Sequence, residues 1–529
     1  MRREREEREE AQESRPKKRR RRFGRFRFYF VNIFLGVVIA LLAVCIFVYF
    51  CCRVQTVEVE GSTLYTQQQI QDYVLDGTYS YNSVYAVADN LIHPKENIPF
   101  VKSVKVRMTG LNALKITVTE KKMIGYVTLA DGTYAYFDRD GVVQGVYDAL
   151  PQALASAPIT DYGDRLIMQS FVDMHLHAPQ YPMLGMGMDL PLLDWLNTYT
   201  FRTEARFADP DFARRTYRRL ASDLITNGTT RVCMFSSLHT EATWILMEEL
   251  ERAGVTGYVG KVNMDRNALP GILQETTEES VSETLRWLDG CHFEHVRPII
   301  TPRFTPSCSN ELMAALGEIA RDRGLYVQSH LSENRGEIAW VKELHPDCAQ
   351  YWETYDKYGL WKDHTVMAHC VHSDARECAA IRRAGVVVAH CAGSNINLCS
   401  GVSPVREMLQ QGIWVTLGSD IAGGAQLPMY KVITMSIRAS KIKRMETDWS
   451  EDFLTVPEGY YLGTTAGHRY FGGGEGFAVG QPLHAIVVDD GDFPEPVRPL
   501  TVRERFERSI YMLHRHNITA VWSHGRQVK

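Results

Sequence analysis

The chain has little net charge, no cysteine spacing that marks a metal or redox motif, and no sign of a removable leader. Its 59 Lys and Arg stand against 63 Asp and Glu, a formal charge of -4 over 529 residues. The basic residues gather in one short terminal run rather than across a domain face, which argues against nucleic acid as a partner. None of the 11 cysteines forms a C-x-x-C, and eight of them (Cys233, Cys291, Cys308, Cys348, Cys370, Cys378, Cys391, Cys399) fall in the C-terminal part without a pairing pattern. Free thiols of this kind suit a reducing compartment. No small-residue cleavage site precedes Arg53, so the apolar stretch near the N-terminus reads as an anchor and not as a cleaved signal. What is abundant is apolar residue, 45% of a chain long enough for two or three domains.

Residues 1–30 read as a charged cytosolic tail that ends in the basic run "RPKKRRRRFGRFRF", and residues 31–52 contain no charge. Roughly 20 apolar residues span a bilayer, so 31–52 is expected to be one transmembrane helix. By the positive-inside rule the tail stays in the cytosol and everything after Arg53 crosses. The thiols point the other way, and the two expectations conflict.

Residues 53–147 alternate in the manner of strands at "VQTVEVEG", "VKSVKVRM" and "LKITVTEK", with a helix at "TQQQIQDYVL" opened by a Thr66 to Gln69 capping-box signature. The order of membrane helix, "VEVEGSTLYTQQQI", "NIPFVKSVKVRM", "LKITVTEKKMIGYV" and "YAYFDRDGVV" resembles the FtsQ/DivIB cell-division family and its POTRA domain. That resemblance implies a small α/β module and divisome proteins as partners.

From residue 148 to 475 apolar strand candidates alternate with helical segments. The strands are "LIMQSFVDMHLH", "TRVCMF", "GYVGKVNM", "VRPIITPRF", "YVQSHLSE", "TVMAHCVH", "VVVAHCAGSN" and "WVTLGSD". Eight βα units of this size make a TIM-type barrel, whose active site is built at the C-terminal strand ends. Residues 476–529 are expected to hold a C-terminal helix and strands of a small β-sandwich.

The chemistry-bearing residues fall at those strand ends. His175 and His177, two apart in a strand, point to one side. His330 ends the fifth strand and Asp420 the eighth, completing three imidazoles and a carboxylate suited to zinc or iron. Glu333, three residues after His330, can face a metal-activated water and move its proton, and His369 at the sixth strand end can bond the attacked oxygen or the water. His372 and His390 lie near the same ends and read as supporting residues.

The chain from about residue 160 resembles the metal-dependent amidohydrolases and, within them, the guanine deaminases. The resemblance is carried by "FVDMHLHAPQY", "DLPLLDWLNTYTFRTEARF", "NGTTRVCMF", "GKVNMD", "ETTEESVSET", "TPRFTPSCS", "QSHLSEN", "MAHCVH", Ser394-Asn395 and "LGSDIAGG". It implies hydrolysis of guanine to xanthine and ammonia, with one zinc held by His175, His177, His330 and Asp420. It implies proton transfer by Glu333 and Asp420, with His369 beside the attacked carbon. It also implies purine binding by Gln180, Arg303 and the backbone by Phe304, together with His330, Glu333 and Asp420. An arginine, which only donates, and an amide, which does both, suit a purine's carbonyl and ring nitrogens. A homodimer and a cytoplasmic catalytic part are further expectations of the family.

Three departures stand out. Gln169-Ser170 replace the usual Pro-Gly before the first barrel strand, Ala392-Gly393 replace a proline-containing turn, and His484 stands where an aspartate is usual. The N-terminal half of the expected sandwich is short, so strands of the preceding module must complete it or its edges stay exposed. Two other readings compete: an aminohydrolase for a different purine, a pyrimidine or a triazine, and a cell-division scaffold carrying the barrel as fused cargo.

Overall fold

A computed structural model describes residues 21–529, apart from 64, 96–97, 99–100, 121–122, 130, 139–140, 148–159, 451 and 475. Residues 1–20, most of the expected cytosolic tail, lie outside the described residues. Two compact units divide the chain, one of 1–122 with 151–155 and one of 123–150 with 156–529.

The first unit opens with a helix, Arg21–Cys51, whose segment Asn32–Cys51 is long and apolar enough to cross a membrane and is buried nowhere along its length. Three strands follow: β1 (Thr56–Glu60), β2 (Val101–Gly110) and β3 (Ala113–Glu120). They pair in the order β1-β3-β2, with β1 parallel and β2 antiparallel to β3. Helices Gln67–Val74 and Ser83–Ile92 bury Ile70, Val74 and Ala86 against Leu114, Ile116 and Val118. The expected capping box is formed, Thr66 accepting from Gln69 N–H while the Gln69 side chain accepts from Thr66.

The expected 53–147 module does not end at 147. Strands β4 (Met123–Thr128), β5 (Tyr134–Asp138) and β6 (Val143–Tyr147) belong to the second unit. The cause is apolar burial: Val127, Ala135, Phe137 and Val143 share one cluster with Leu483, Ala485 and Trp522 of the C-terminal segment. That segment supplies β18 (Ala485–Val488), β19 (Ile518–Ser523) and β20 (Arg526–Gln527), which join β7 (Leu166–Gln169) in an antiparallel sheet ordered β20-β19-β18-β7. β4 to β6 thus supply the strands that the N-terminal half of the sandwich lacked.

The apolar run "LIMQSFVDMHLH" is two elements and not one strand. After β7 the chain passes through Ser170 and enters the barrel as β8 (Phe171–His177), every residue of which is buried, as parallel strands covered on both faces require. β9 (Thr229–Phe235) follows, then the split strands β10 (Thr256–Gly260) with β11 (Val262–Asn263) and β12 (Val296–Pro298) with β13 (Thr301–Pro302). β14 (Gln328–Leu331), β15 (Val366–His369), β16 (Val387–His390) and β17 (Trp414–Leu417) complete the eight. Parallel ladders run β12-β10-β9-β8 and β14-β15-β16-β17, and Ile300 bridges to Val327 between them. The circle closes where Asp420 N–H donates to the carbonyl of His175 (2.8 Å) and His177 N–H to that of Ile421 (3.2 Å). Gly418 permits this closure, because a Cβ there would lie 2.7 Å from the Cβ of His175. The covering helices start and stop as their sequences dictate: Asp209 caps Pro210–Thr226, a Thr276/Glu279 capping box opens Thr277–Asp289, and left-handed Gly385 ends Ala375–Ala384.

Candidate active site

Each site residue sits where a strand stops. His175 and His177 share one face of β8, His330 lies in β14, His369 closes β15, and Asp420 follows β17. Ser332, His369, Cys370 and Asp420 all take positive φ (48°, 73°, 48° and 47°) without being glycine. Such conformations cost stability and persist where the surroundings enforce them, most often at functional sites.

The donor atoms converge. His177 Nε2 lies 3.1 Å from His330 Nε2, and Asp420 Oδ1 lies 3.3 Å from His175 Nε2 and 3.6 Å from His177 Nε2. Ligand bonds of about 2.0–2.2 Å in a tetrahedral zinc site put neighbouring donors roughly 3.3–3.6 Å apart. Neither ring nitrogen of His175 has a hydrogen-bond partner, and nor has His177 Nδ1. Two facing imidazole nitrogens and a buried His175 ring with no hydrogen-bond partner are what a bound cation would satisfy. Burial holds His175 below the usual histidine range and His177 and His330 well below it, so their lone pairs are free. Burial alone would raise Asp420, but the His175 imidazole 3.3 Å away and the other nearby imidazoles outweigh that and hold it well below the carboxylate range. His330 Nδ1–H donates to the carbonyl of Arg303 (2.5 Å), which turns Nε2 toward the other donors.

Other groups of possible ligand atoms occur here: His175, His330 and His369, and His175, Cys391 and Asp420, each within 4.8 Å of one another. Burial pushes the Cys391 thiol well up, which disfavours the thiolate a metal needs. His369 has other partners. Its Nδ1 bonds Asn395 Oδ1 (2.8 Å), and its Nε2 faces Glu333 Oε2 (3.5 Å) and Asp420 Oδ2 (3.8 Å). Burial alone would lower His369, but those two carboxylates raise it above the usual value. Burial pushes Glu333 up to about 7, a value suited to taking and giving a proton near neutrality. Ser400 donates to its other oxygen (3.2 Å).

These residues line one end of a cleft that is open to solvent on one side. Gln180, Arg303, Phe304, Glu337, Leu192, Trp195, Leu196 and Leu398 form its remaining walls. A slot that sets Leu192, Trp195, Leu196, Phe304 and Leu398 beside an amide and a guanidinium suits a flat heterocycle with polar edges.

The family model described as "Amidohydrolase family" matches residues 166–528. Guanine deaminase of Dictyostelium discoideum is 34% identical over 79% of this chain and 98% of its own length. Guanine deaminase of Mus musculus is 38% identical over 68% of this chain and 82% of its own. The crystal structure of guanine deaminase from C. acetobutylicum, with guanine bound in its active site, superposes with a TM-score of 0.72 at 42% identity, covering 77% of this chain and 98% of that one. The chain belongs to the amidohydrolase family, among the guanine deaminases.

Of the expected site residues, His177, Gln180, Arg303, Phe304, His330, Glu333, His369 and Asp420 line this cavity and His175 lies 3.3 Å from Asp420, while His372 and His390 do not line it. His372 bonds the carbonyl of Ser400 (2.8 Å) instead. Sequence reasoning missed a supporting layer. The Asp173 carboxylate, buried and pushed up to about 7 by that burial, accepts from Ser419 N–H (2.9 Å) and Oγ–H (2.5 Å) beside Asp420. Glu337 accepts from the Glu333 N–H (2.9 Å) and from Tyr351 (2.7 Å). Glu204, fully buried, bonds both Arg303 and Gln180. Asp173 carried a signal, a carboxylate in a fully buried strand two residues before His175. The other two carried none that spacing could reveal.

Proposed function

We propose that this chain hydrolyses guanine to xanthine and ammonia. The observation that carries the reading is the union, in one small cavity, of the buried imidazole and carboxylate donors with an amide and a guanidinium held at fixed orientation. Zinc, or iron in its place, held by His175, His177, His330 and Asp420, would supply the Lewis acidity that makes water a nucleophile at neutral pH.

Glu333 takes one proton from the attacking water and passes it to the amine leaving C2, which departs as ammonia. The second water proton ends on the ring nitrogen, with Asp420 the carboxylate placed to move it, so atoms and charge balance. His369, fixed through Asn395, bonds the attacking oxygen. Gln180 and Arg303 hold the purine edge, and Leu192, Trp195 and Leu196 cover its faces and exclude water. Incubation of the purified, metal-analysed protein with guanine tests the reading: xanthine and ammonia in equal amounts support it.

We also propose that Asn32–Cys51 anchors the enzyme in a membrane and that β1 to β3 with their two helices act as a POTRA-like module of the cell-division kind. The exposed apolar helix and the mixed three-stranded sheet support this reading. All eleven cysteines are free, which favours a catalytic part on the cytosolic side, against the charge rule. Protease protection in sealed vesicles decides the side: a barrel cut only after detergent is enclosed.

A further inference from the structure

Between the strand-end motifs lies a segment whose one buried acid has no part in the reaction. Helical turn Phe201–Glu204 follows a π-helical turn at Leu196–Thr200, a form that recurs at functional sites. Glu204 is completely buried. Its Oε2 accepts from Arg303 Nη1 (2.6 Å), and its Oε1 accepts from both Arg303 Nη2 (3.0 Å) and Gln180 Nε2 (2.9 Å). Phe201 lies under the same guanidinium, 5.3 Å from ring centroid to Cζ. On its other side Gln180 Oε1 accepts from Ala422 N–H (3.0 Å).

These bonds fix more than position. A free glutamine amide can turn over and exchange its donor for its acceptor. Here Glu204 can only accept and Ala422 N–H can only donate, so the amide has one orientation. The bidentate fork likewise fixes the plane of Arg303 and leaves its remaining N–H groups for the cavity. We propose that Glu204 is the positioning residue for substrate selection: through Arg303 and Gln180 it sets the donor and acceptor pattern that accepts a 6-oxo purine and rejects a 6-amino one. A guanidinium held in this way meets a carbonyl oxygen well and meets an amino group with donor against donor. Glu204 also neutralises Arg303, which would otherwise stand buried and unpaired.

The inference rests on the reading of the cavity as a guanine site, and the test separates the two. Guanine and 2,6-diaminopurine carry the same reacting 2-amino group and differ at C6. In the full-length enzyme, kcat/KM for guanine is expected to exceed that for 2,6-diaminopurine by 100-fold or more. Glu204→Gln should raise KM for guanine at least 10-fold, change kcat less, leave bound metal unchanged, and shrink the preference at least 10-fold. In an Arg303→Gln background the added Glu204→Gln should cost less than it does alone, because it acts through the arginine. Should Glu204→Gln not fold, Glu204→Asp, which keeps the charge and shortens the fork, is read on the same two substrates for the same loss of preference. Equal losses on both substrates, or additive losses in the double variant, would overturn the role of Glu204. A wild-type enzyme with bound metal and no guanine turnover would instead overturn the underlying reading.

Discussion

Asp173 accepts hydrogen bonds from both the backbone N–H and the hydroxyl of Ser419, at 2.9 and 2.5 Å. One carboxylate on the first barrel strand thereby fixes the turn that carries Asp420 beyond the last, and the two ligand-bearing ends of the circle are registered on each other.

Asp173→Asn keeps the shape, removes the charge and leaves Ser419 with a weaker partner. The expected result is a loss of about 10–100-fold in metal affinity or kcat/KM, the usual effect of disturbing groups that orient ligands. Metal titration by calorimetry beside steady-state kinetics checks it. Unchanged values for both would show that Asp173 serves packing alone.

Glu333 is assigned the transfer of the first water proton to the leaving amine and no share in holding metal. Glu333→Gln should lower kcat by about 100–10,000-fold, the range for loss of a general acid–base group, while bound metal stays at the wild-type level. A variant within about threefold of wild-type kcat, or one that loses its metal, contradicts the assignment.

Much of the site was legible because its chemistry repeats at strand ends. His175 and His177 stand two apart in a strand, and His330, His369 and Asp420 each follow an apolar run of the right length. Glu204 was not legible, because its partners Gln180 and Arg303 lie 24 and 99 residues away and nothing local marks the pairing. The boundary near residue 147 was misplaced for a related reason: β3 and β4 show the same alternation, and only tertiary burial of Phe137 against Trp522 assigns β4 to β6 to the catalytic unit. The run from Leu166 to His177 was read as one strand because apolar periodicity does not mark where a chain leaves one sheet for another.

That burial makes a prediction about truncation. A chain starting at Met123 should fold and keep the wild-type metal content, whereas one starting at Ala149 should be insoluble or melt well below it. Phe137→Ala in the full chain should cost ~3–5 kcal/mol of the second unit's stability, as for other large-to-small changes in a core. Thermal melts followed through enzyme activity read both. Equal melting temperatures for the two truncations would return β4 to β6 to the first unit.

Acid sensitivity follows from the histidines behind the barrel. Burial, with Arg231 next in effect, holds His468 and His484 well below the usual range, and burial pushes His524 down to about 3. Unfolded, each takes a proton near pH 6.5, so below that pH the unfolded chain binds more protons than the native one. Stability is therefore fully present above pH 6.5 and is lost as pH falls toward the native values, at an upper limit of roughly 1.4 kcal/mol per histidine per pH unit. Urea unfolding midpoints should fall between pH 7 and pH 5, and less steeply in His484→Gln. A His484→Gln midpoint that falls with pH as steeply as the wild-type one would refute the neutral-histidine account.

The central claim is that this cavity converts guanine. Its most direct measurement is the conversion of guanine to xanthine by the purified full-length protein, followed with ammonia release and with metal counted per chain. The account predicts xanthine and ammonia in a one-to-one ratio from protein holding one zinc or iron per chain. A protein that holds that metal and leaves guanine unchanged would contradict it.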